Sequence, residues 1–416
     1  MSVGLASPAG AARPAGVLPA RPLRSLVLAP FFDADAANNR PRLLAEVLGR
    51  FGPVDVVTTD FDHARKSRKP PPREPGAGRV LQLPTPAYRT NVSVARFRSH
   101  VGFAREALRF VRAHARDYDV LYATAPLNLL AAGAFAAAPG ALRILDVVDV
   151  WPDVLPFPPA ARRVGYPLFA AWKALFARAC ERADLLLAVS DRFLDEGRRW
   201  FRGPDACARR FYIGHPALPV GGTARVGGRR GLAYVGNIGQ LYDFETLLDA
   251  LSRPGLRDGW ELHVVGLGDR DAWLRAELAR RGIAHVHHGV VTDPARLGAV
   301  LARCDAGFNG YRNTSAAFSY KATTYLAAGL PLVNSMGGDL AALVGDRGLG
   351  ANYGEGDIDG LVGALGQVAA ADPAELRARC RGFFDEEIEA GAVAERLHAF
   401  LAAHLAAHVA AAGGAG

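Results

Sequence analysis

The chain has 416 residues, of which 50% are hydrophobic and 22% are charged, a composition typical of globular proteins. This length exceeds what one ordinary core accommodates and favours two domains of roughly 200 residues each. The net charge of +8 indicates an anionic partner, such as a phosphorylated ligand, an acidic membrane surface or nucleic acid. The four cysteines are widely spaced and form no Cys-x-x-Cys pair, which argues against a disulfide framework or a zinc site.

The first segment, residues 1–24, is rich in Ala, Pro, Gly and Arg and contains no continuous apolar core. This composition predicts a disordered leader rather than a signal peptide. No stretch of the sequence reaches the ~18–20 apolar residues that a bilayer-spanning helix needs. We therefore expect a soluble or peripheral protein.

Residues 25–213 alternate between short apolar runs and longer amphipathic runs, which predicts the strands and helices of an α/β domain. The strand expected over 26–30 is followed by a polar loop that contains Asn39 and Arg40. This loop lacks the glycine run of a dinucleotide-binding site. The basic, proline-containing segment 63–79 is expected to form an exposed insertion loop.

Two polar residues of this domain stand at the ends of predicted elements. A basic helix predicted over 96–116 has one apolar stripe for the core and carries His100 near its start. The apolar strand that begins at Arg143 ends at Asp149, where Trp151 and Pro152 force a turn. Ligands of open parallel sheets bind beyond the carboxyl ends of strands, so Asp149 is placed for chemistry. The structural alternatives are a turn cap for Asp149 and a packing role for His100.

The composition changes to Gly and Pro over 214–230, which predicts a linker between domains. Residues 231–372 then alternate between strands and helices, a pattern that indicates βαβ units and a second parallel sheet. Three of the turns after strands contain glycines where a ligand could approach the backbone. The Ala-rich region 373–416 is predicted to be helical.

The segment 318–339 reads as a helix, a short strand and a second helix. Ser319 is positioned to cap the first helix, and Gly329 and Pro331 end it. Asp339 is expected to cap the second helix. The free N–H groups at its start attract phosphate, and Lys321 adds a full positive charge. Taken alone, the segment is also compatible with an ordinary βα unit.

This segment resembles the nucleotide-sugar helix of retaining GT-B glycosyltransferases, family 4, bacterial surface-polysaccharide branch. The similarity lies in Lys-x-x-x-Tyr-Leu-Ala-Ala-Gly-Leu-Pro-Leu, beginning at Lys321. The run Asp-Val-Trp-Pro-Asp at 149–153 resembles the Asp-Leu-Trp-Pro-Glu segment of the same family. The glycine turns near residues 236, 266 and 289 match that family in order. The resemblance implies an α/β, GT-B fold with two Rossmann-like domains facing a central cleft, and a C-terminal helix that crosses back to the first domain.

The resemblance also implies an enzyme, a hexosyltransferase whose donor is a nucleotide-diphosphate sugar, UDP or GDP, with no other cofactor. The helix start at 319–321 and the Lys321 ammonium supply positive potential for the diphosphate, so metal independence is expected. Asp149 and Lys321 are the expected catalytic residues. The expected acceptor-side residues are Asn39, Arg40 and His100. The expected donor-binding residues are Gly236, Asn237, Gly266, Gly268, Val290, Ser319, Tyr320, Lys321 and Thr324.

The sequence departs from the family at the donor site. Two glutamates that normally hold the donor are replaced by Ala316 and Thr324, and Asn237 and Tyr242 stand where an Arg and a Lys are common. Lys321, with help from an arginine such as Arg312, would then have to hold the diphosphate. A catalytically impaired partner subunit and a GT-B nucleotide-sugar epimerase are the alternatives.

The expected acceptor is a glycan or a polyprenyl-linked glycan in cell-surface polysaccharide synthesis. Peripheral contact with an anionic membrane is one option for the basic surface of the first domain. Nucleic-acid binding lacks support, because no interleaving of aromatic and basic residues is present. A cytoplasmic location is expected, with the inner membrane face as one option.

Overall fold

The computed structural model describes most of the chain and all of the predicted regular elements. The described residues are 21–34, 39–63, 65–72, 78–90, 93–151, 163–219, 228–312 and 318–413. The predicted leader up to residue 20, Pro152, Asp153 and Ala316 lie outside them, as does the middle of the predicted linker.

The N-terminal domain is built on a seven-stranded parallel sheet with the order β5-β2-β1-β6-β7-β8-β9. The strands are β1 Ser25–Leu28, β2 Val54–Thr59, β5 Val80–Leu83, β6 Val120–Ala125, β7 Leu142–Val147, β8 Leu185–Ala188 and β9 Ala208–Arg210. A short antiparallel pair, β3 Phe61–Asp62 and β4 Ser67–Arg68, follows β2. The central strands are buried on both faces, which explains their predominantly apolar sequences.

Helices cover both faces of this sheet. They are α1 Arg40–Gly49, α2 Val94–His114, α3 Asn128–Ala137, α4 Tyr166–Arg182 and α5 Asp191–Arg198. Phe103 of α2, Phe135 of α3 and Phe176 of α4 share one buried cluster. The helix starts follow local chemistry: the side chain of Asn39 accepts a hydrogen bond from the Arg42 N–H, and that of Ser190 accepts one from the Phe193 N–H.

The C-terminal domain contains a six-stranded parallel sheet with the order β12-β11-β10-β13-β14-β15. The strands are β10 Arg230–Val235, β11 Trp260–Val265, β12 His285–Gly289, β13 Ala306–Asn309, β14 Leu332–Asn334 and β15 Gly350–Asn352. The helices are α6 Phe244–Leu251, α7 Leu256–Gly259, α8 Asp271–Arg280, α9 Pro294–Leu301, α10 Tyr320–Ala327, α11 Asp339–Asp346 and α12 Ile358–Ala370. The central strand β10 supplies Leu232, Tyr234 and Ala233 to the cores on its two faces.

The chain crosses between the domains twice. After α13 Pro373–Phe383 and a π-helical turn at Phe384–Ile388, the long α14 Ala390–Gly413 packs its apolar side against the N-terminal sheet. Beside this second crossing, His215 of the first crossing donates its N–H to the Ile388 carbonyl at 2.9 Å. The His215 carbonyl accepts the N–H of Ala390 at 3.0 Å.

Two further contacts join the domains. The rings of Tyr212 and Phe318 are stacked with centroids 4.6 Å apart. The Asp339 carboxylate, at the first residue of α11, accepts the backbone N–H groups of Asp191 and Arg192 at the start of α5. A carboxylate from one domain thus binds the positive end of a helix in the other.

The predicted fold class is confirmed: the structure contains two Rossmann-like bodies with parallel sheets. Three local predictions are wrong. The strand before Asp149 ends at Val147, and Gly338 rather than Asp339 occupies the N-cap of α11. The basic segment after residue 63 is not wholly a solvated loop, because Lys69 donates to the Phe32 carbonyl at 2.8 Å.

Among the residues described, no helix combines the length and the apolar character that spanning a membrane requires.

Candidate active site

The donor-side candidates lie where the strands of the C-terminal sheet end. Gly236 follows β10 with φ +128°, and Gly266 follows β11 with φ +135°. A Cβ on Gly266 would lie 1.9 Å from the Gly236 carbonyl oxygen, and one on Gly268 would lie 2.2 Å from the Ile238 oxygen. These glycines therefore let two loops pack directly against each other.

The same edge presents two exposed positions to solvent. Asn237 is exposed in the loop after β10, and Val290, 62% exposed, follows β12. The β11 loop is tied to the β12 end because Gly266 donates its N–H to the Gly289 carbonyl at 2.7 Å. The carboxyl ends of three neighbouring strands thus form one continuous rim, the place where ligands of open parallel sheets bind.

Ser319 occupies the N-cap of α10, as the sequence predicted. Its hydroxyl accepts the Lys321 N–H at 3.2 Å and donates to the Asn309 side-chain oxygen at 2.9 Å. Ser319 therefore positions the helix start, while the neighbouring Tyr320 keeps 48% of its surface exposed.

The Lys321 ammonium site is the most unusual feature of this rim. The side chain is only 8% exposed, and Nζ has no hydrogen-bond partner within the described part of the chain. Nζ lies 3.1 Å from the ring centroid of Tyr242, 4.9 Å from that of Tyr311 and 5.0 Å from that of Tyr234. Burial lowers the pKa of Lys321 to about 6. The amine is therefore mostly neutral at pH 7 and enclosed by three aromatic faces.

Gly236 and Lys321 depend on each other sterically. A Cβ on Gly236 would lie 2.8 Å from Lys321 Cε, closer than real Cβ contacts allow. The glycine therefore leaves room for the lysine directly beneath the β10 loop. Any larger residue at 236 would displace the amine or the loop.

Thr324 faces the crossing segment between the domains. Its hydroxyl donates to the Tyr320 carbonyl at 3.1 Å and lies 3.2 Å from His215 Nε2. His215 Nδ1 lies 2.8 Å from the Pro216 carbonyl, and burial lowers the pKa of His215. Sequence reasoning missed His215, which lies far from Thr324 along the chain.

Arg312 is engaged by acidic neighbours. Its guanidinium lies 3.5 Å from the Glu245 carboxylate and 3.9 Å from that of Asp243. Arg270 also binds Glu245, at 2.6 Å. These pairs neutralise much of the charge that Arg312 could offer a diphosphate, which leaves the Lys321 amine, once protonated, as the better placed group.

On the acceptor side, Asp149 lies just beyond β7 in a polar cluster. Its carboxylate accepts the Trp151 indole N–H at 2.8 Å and the Val150 N–H at 3.0 Å. Burial raises the pKa of the Asp149 carboxyl, and these two hydrogen bonds act in the opposite direction.

The structure brings His100 to the same cluster. Its ring centroid lies 5.3 Å from that of Trp151, and its Nε2 accepts the Arg96 Nε–H at 3.3 Å. The Arg96 guanidinium also lies over the Trp151 ring at 4.6 Å. Burial and the Arg96 charge lower the pKa of His100 to about 3, so this imidazole stays neutral. Sequence reasoning did not place Arg96 beside His100, although its position four residues earlier on the same helix was a usable signal.

Asn39 and Arg40 have partners within the fold. The Asn39 amide caps α1 and donates to the Phe31 carbonyl at 2.8 Å. Arg40 is 3% exposed and binds the buried Asp146 carboxylate at 2.8 Å, which also accepts the Tyr122 hydroxyl. A buried pair of this kind orders α1 against β7 and leaves Arg40 little capacity for a ligand.

Asn39 also lines a cavity of about 370 Å³ in the N-terminal domain, between the loop after β1 and the β3–β4 pair. Phe31, Phe32, His63 and Lys69 contribute to its wall. Phe31 connects this cavity to the Asp149 cluster, because its ring centroid lies 5.1 Å from that of His63 and 5.6 Å from that of His100.

Comparisons with known proteins show which fold contains these elements. Residues 229–371 match the family model described as glycosyl transferases group 1. Across the chain, sucrose-phosphate synthase from Thermosynechococcus elongatus is similar at 17% identity and a TM-score of 0.67, covering 92% of this chain and 100% of that one. The chain has the GT-B fold.

Other GT-B structures are similar at comparable sequence identities and TM-scores. Anabaena HepE in complex with UDP has 14% identity and a TM-score of 0.60, covering 92% of this chain and 100% of its own. WaaB, a lipopolysaccharide outer core galactosyltransferase, has 15% identity and a TM-score of 0.60, covering 91% and 99%. No curated protein matches the sequence significantly. Asp149 therefore lies in the N-terminal domain of a GT-B fold, and Lys321 lies in the C-terminal domain.

Proposed function

We propose that this chain is a retaining glycosyltransferase that moves a sugar from a nucleotide-diphosphate sugar to a glycan or lipid-linked acceptor. One observation carries the proposal: the segment that matches group 1 glycosyl transferases contains the rim from Gly236 to α10 and the enclosed Lys321. A buried amine that has no polar partner among the described residues needs an explanation, and an anionic ligand provides one.

The donor side would hold the departing diphosphate. In sugar transfer the bond from C1 to the diphosphate oxygen breaks, and negative charge grows on that oxygen. Lys321 and the positive end of the α10 dipole would stabilise that charge without a metal ion. Gly236 and Gly266 would let the phosphates approach the backbone.

The acceptor side would orient the attacking hydroxyl. The Asp149 carboxylate accepts hydrogen bonds from Trp151 and Val150. Burial raises the pKa of Asp149, which makes its carboxylate a stronger proton acceptor. It would orient the acceptor hydroxyl towards C1 and balance positive charge there. The cavity beside His63 offers room for the rest of the acceptor.

The biological setting is proposed from the similar proteins. HepE binds UDP, so UDP and UDP-sugars are the first donors to test, followed by GDP-sugars. WaaB acts on lipopolysaccharide outer core, which supports an acceptor from cell-surface polysaccharide synthesis. A cytoplasmic protein would meet such acceptors at the inner membrane face.

A thermal-shift panel of nucleotides and nucleotide sugars tests the donor part. Ligand binding to the native state raises the melting temperature by mass action, so one nucleotide class should respond selectively. Transfer of radiolabelled sugar to membrane lipid extract then tests the reaction. A chain that responds to no nucleotide diphosphate would contradict the proposal.

A catalytically impaired partner subunit is the second candidate. The observation that favours it is Thr324, whose hydroxyl is directed to the Tyr320 carbonyl and lies beside His215 where the family carries a carboxylate. Tight nucleotide binding without transfer to any acceptor would support this candidate over the enzyme.

A further inference from the structure

Three tyrosines that are far apart in the sequence surround the Lys321 amine. Tyr234 belongs to β10, Tyr242 to the loop that follows it, and Tyr311 to the segment after β13. Their ring centroids lie 5.0, 3.1 and 4.9 Å from Lys321 Nζ, respectively. We call these three side chains the tyrosine cage. The ring of Tyr242 is the nearest of the three, so it provides the main contact of the amine.

Tyr242 forms the outer wall of the tyrosine cage. Tyr234 is fully buried, whereas Tyr242 is partly exposed and follows Leu241, which is 55% exposed. The Tyr242 ring therefore stands between the Lys321 amine and the solvent outside the β10 loop. Removal of that ring would admit water to the amine.

The backbone fixes the position of this wall. Tyr242 forms an antiparallel bridge with Tyr311, and the two ring centroids are 5.1 Å apart. Next to this bridge, the N–H of Arg312 donates to the Leu241 carbonyl at 2.8 Å. The Tyr311 hydroxyl lies 3.0 Å from the Ser319 hydroxyl at the N-cap of α10. The outer wall is thus connected to the helix start where we place the diphosphate.

Burial, rather than a neighbouring charge, lowers the pKa of Lys321 to about 6. Burial also raises the pKa of each tyrosine of the cage, so all three rings stay neutral near pH 7. The charged side chains beside the cage neutralise one another, because Arg312 lies 3.9 Å from the Asp243 carboxylate and 3.5 Å from that of Glu245. The effect of burial exceeds the attraction of one aromatic face for the ammonium form, so access of water should raise the pKa of Lys321.

We propose that Tyr242 is a positioning residue, which holds the Lys321 amine in its uncharged form and makes the binding of a nucleotide diphosphate depend on the uptake of a proton. Tyr242 acts through Lys321 and needs no contact with the phosphates. The coupling to the nucleotide rests on the proposed function, whereas the enclosure of the amine does not.

Carbon-13 NMR of the lysine ε-methylene groups tests the enclosure without any nucleotide. The chain contains four lysines, which are Lys66, Lys69, Lys173 and Lys321. The spectrum of a lysine-labelled chain is therefore simple, and the variant Lys321→Met assigns the signal of interest. The pH dependence of that signal gives the pKa of the amine directly.

Two substitutions of Tyr242 and one matched control form the series. Tyr242→Ala should raise the pKa of Lys321 to about 8 or higher, because water reaches the amine. Tyr242→Phe should keep the parent value, because the ring face is retained. Leu241→Ala truncates the neighbouring exposed side chain of the same loop and should also keep the parent value. If Tyr242→Ala does not fold by circular dichroism, Tyr242→Asn replaces it with the same expectation.

Nucleotide binding by the same variants tests the coupling. The affinity of the parent for UDP or GDP should fall by up to about 100-fold between pH 6 and pH 8, since each binding event takes up a proton. The affinity of Tyr242→Ala should change by less than about threefold over this range, because its amine is already charged. Tyr242→Phe should restore the parent profile.

Each result decides one of the two proposals. An unchanged Lys321 titration in Tyr242→Ala, or the same rise in Tyr242→Phe, overturns the role of the Tyr242 ring whether or not a nucleotide binds. An equal loss of affinity at pH 6 and pH 8 in Tyr242→Ala would indicate a structural role only and also overturn it. A raised pKa in Tyr242→Ala alone, without binding of any nucleotide diphosphate to the parent, upholds the enclosure and contradicts the proposed function.

Discussion

At the scale of single residues, the protonation of Lys321 makes nucleotide binding at the candidate donor site depend on pH. Its pKa of about 6 in the free chain reflects burial, and Tyr234, Tyr242 and Tyr311 surround the amine. A bound diphosphate would favour the charged form and raise that pKa. Donor binding above pH 6 would therefore take up a proton.

The first prediction concerns this proton. Nucleotide-diphosphate affinity should fall as pH rises above about 6, by up to about tenfold per pH unit, until the pH reaches the pKa of the bound state. Calorimetry at pH 8 in buffers of different ionisation enthalpy should detect an uptake of about one proton per site. A Lys321→Met variant should show no uptake, and uptake unchanged in that variant would assign the proton to another group.

The second prediction concerns the stability of the same variant. The folded pKa of Lys321 lies below its ordinary value of 10.5, so the unfolded chain binds the extra proton between pH 6 and pH 10.5. The parent should gain about 1.4 kcal/mol of stability per pH unit across that window from this group. Lys321→Met should raise the melting temperature at pH 7 while weakening UDP or GDP binding. Lys173→Met, at an exposed position of α4, should change neither.

The third prediction concerns Asp149. Asp149→Asn keeps the side-chain shape and one acceptor oxygen but removes the charge, so turnover should fall by roughly 10²-fold or more while nucleotide binding survives. Radiolabelled sugar transfer by parent and variant, matched by circular dichroism, measures this. Asp346→Asn makes the same chemical change at an exposed position of α11 and provides the control. Equal turnover in parent and Asp149→Asn would remove Asp149 from the chemistry.

At the scale of elements, α11 of one domain and α5 of the other are joined through Asp339. Its carboxylate satisfies two N–H groups that α5 leaves open, which is the role of an N-cap supplied from another domain. Burial raises the pKa of Asp339, and these two hydrogen bonds oppose that shift.

The fourth prediction follows from this contact. Asp339→Ala should lower the free energy of unfolding by about 1–2 kcal/mol, the range for loss of a helix cap, and should enlarge the average separation of the domains. Chemical denaturation and small-angle scattering measure the two effects. Asp346→Ala at the exposed end of α11 should leave both unchanged. An unaltered scattering profile for Asp339→Ala would show that this contact does not hold the domains together.

The elements themselves were largely predictable from the sequence. Ser319 as an N-cap and Gly329 at φ +69° followed from local chemistry, because capping and chain reversal depend on a few neighbouring residues. The surroundings of Lys321 were not predictable. Tyr234 comes from β10 and Tyr311 follows β13, so only the folded sheet brings them to the amine. Asp339 was misread for the same reason, since its partners lie in α5.

At the scale of the whole molecule, the C-terminal helix α14 is part of the N-terminal core. Val393, Leu397 and Leu401 are fully buried with Val27 of β1 and Leu44 of α1. The GT-B resemblance implied such a crossing, whereas composition alone predicted only a helical region. We therefore expect the stability of the first domain to depend on α14.

The fifth prediction tests this dependence. Leu397→Ala should lower the free energy of unfolding by about 2–5 kcal/mol, the usual cost of a buried leucine. Hydrogen exchange should increase in β1 and β2 rather than in β10. Glu395→Ala on the same helix removes only an exposed ion pair with Arg50 and should cost below about 1 kcal/mol. Faster exchange confined to the C-terminal sheet would contradict the assignment of α14 to the N-terminal core.

The two crossings between the domains restrict how the protein can open. Because His215 is hydrogen-bonded to both Ile388 and Ala390, the two crossing segments run side by side and are joined to each other rather than forming a single tether. The two domains can bend relative to each other through small changes in the backbone dihedrals of both crossing segments. Twisting one domain against the other would instead break the backbone hydrogen bonds between those segments. The cleft should therefore open and close about one axis, so that the Asp149 side and the Lys321 side return to the same register at each closure.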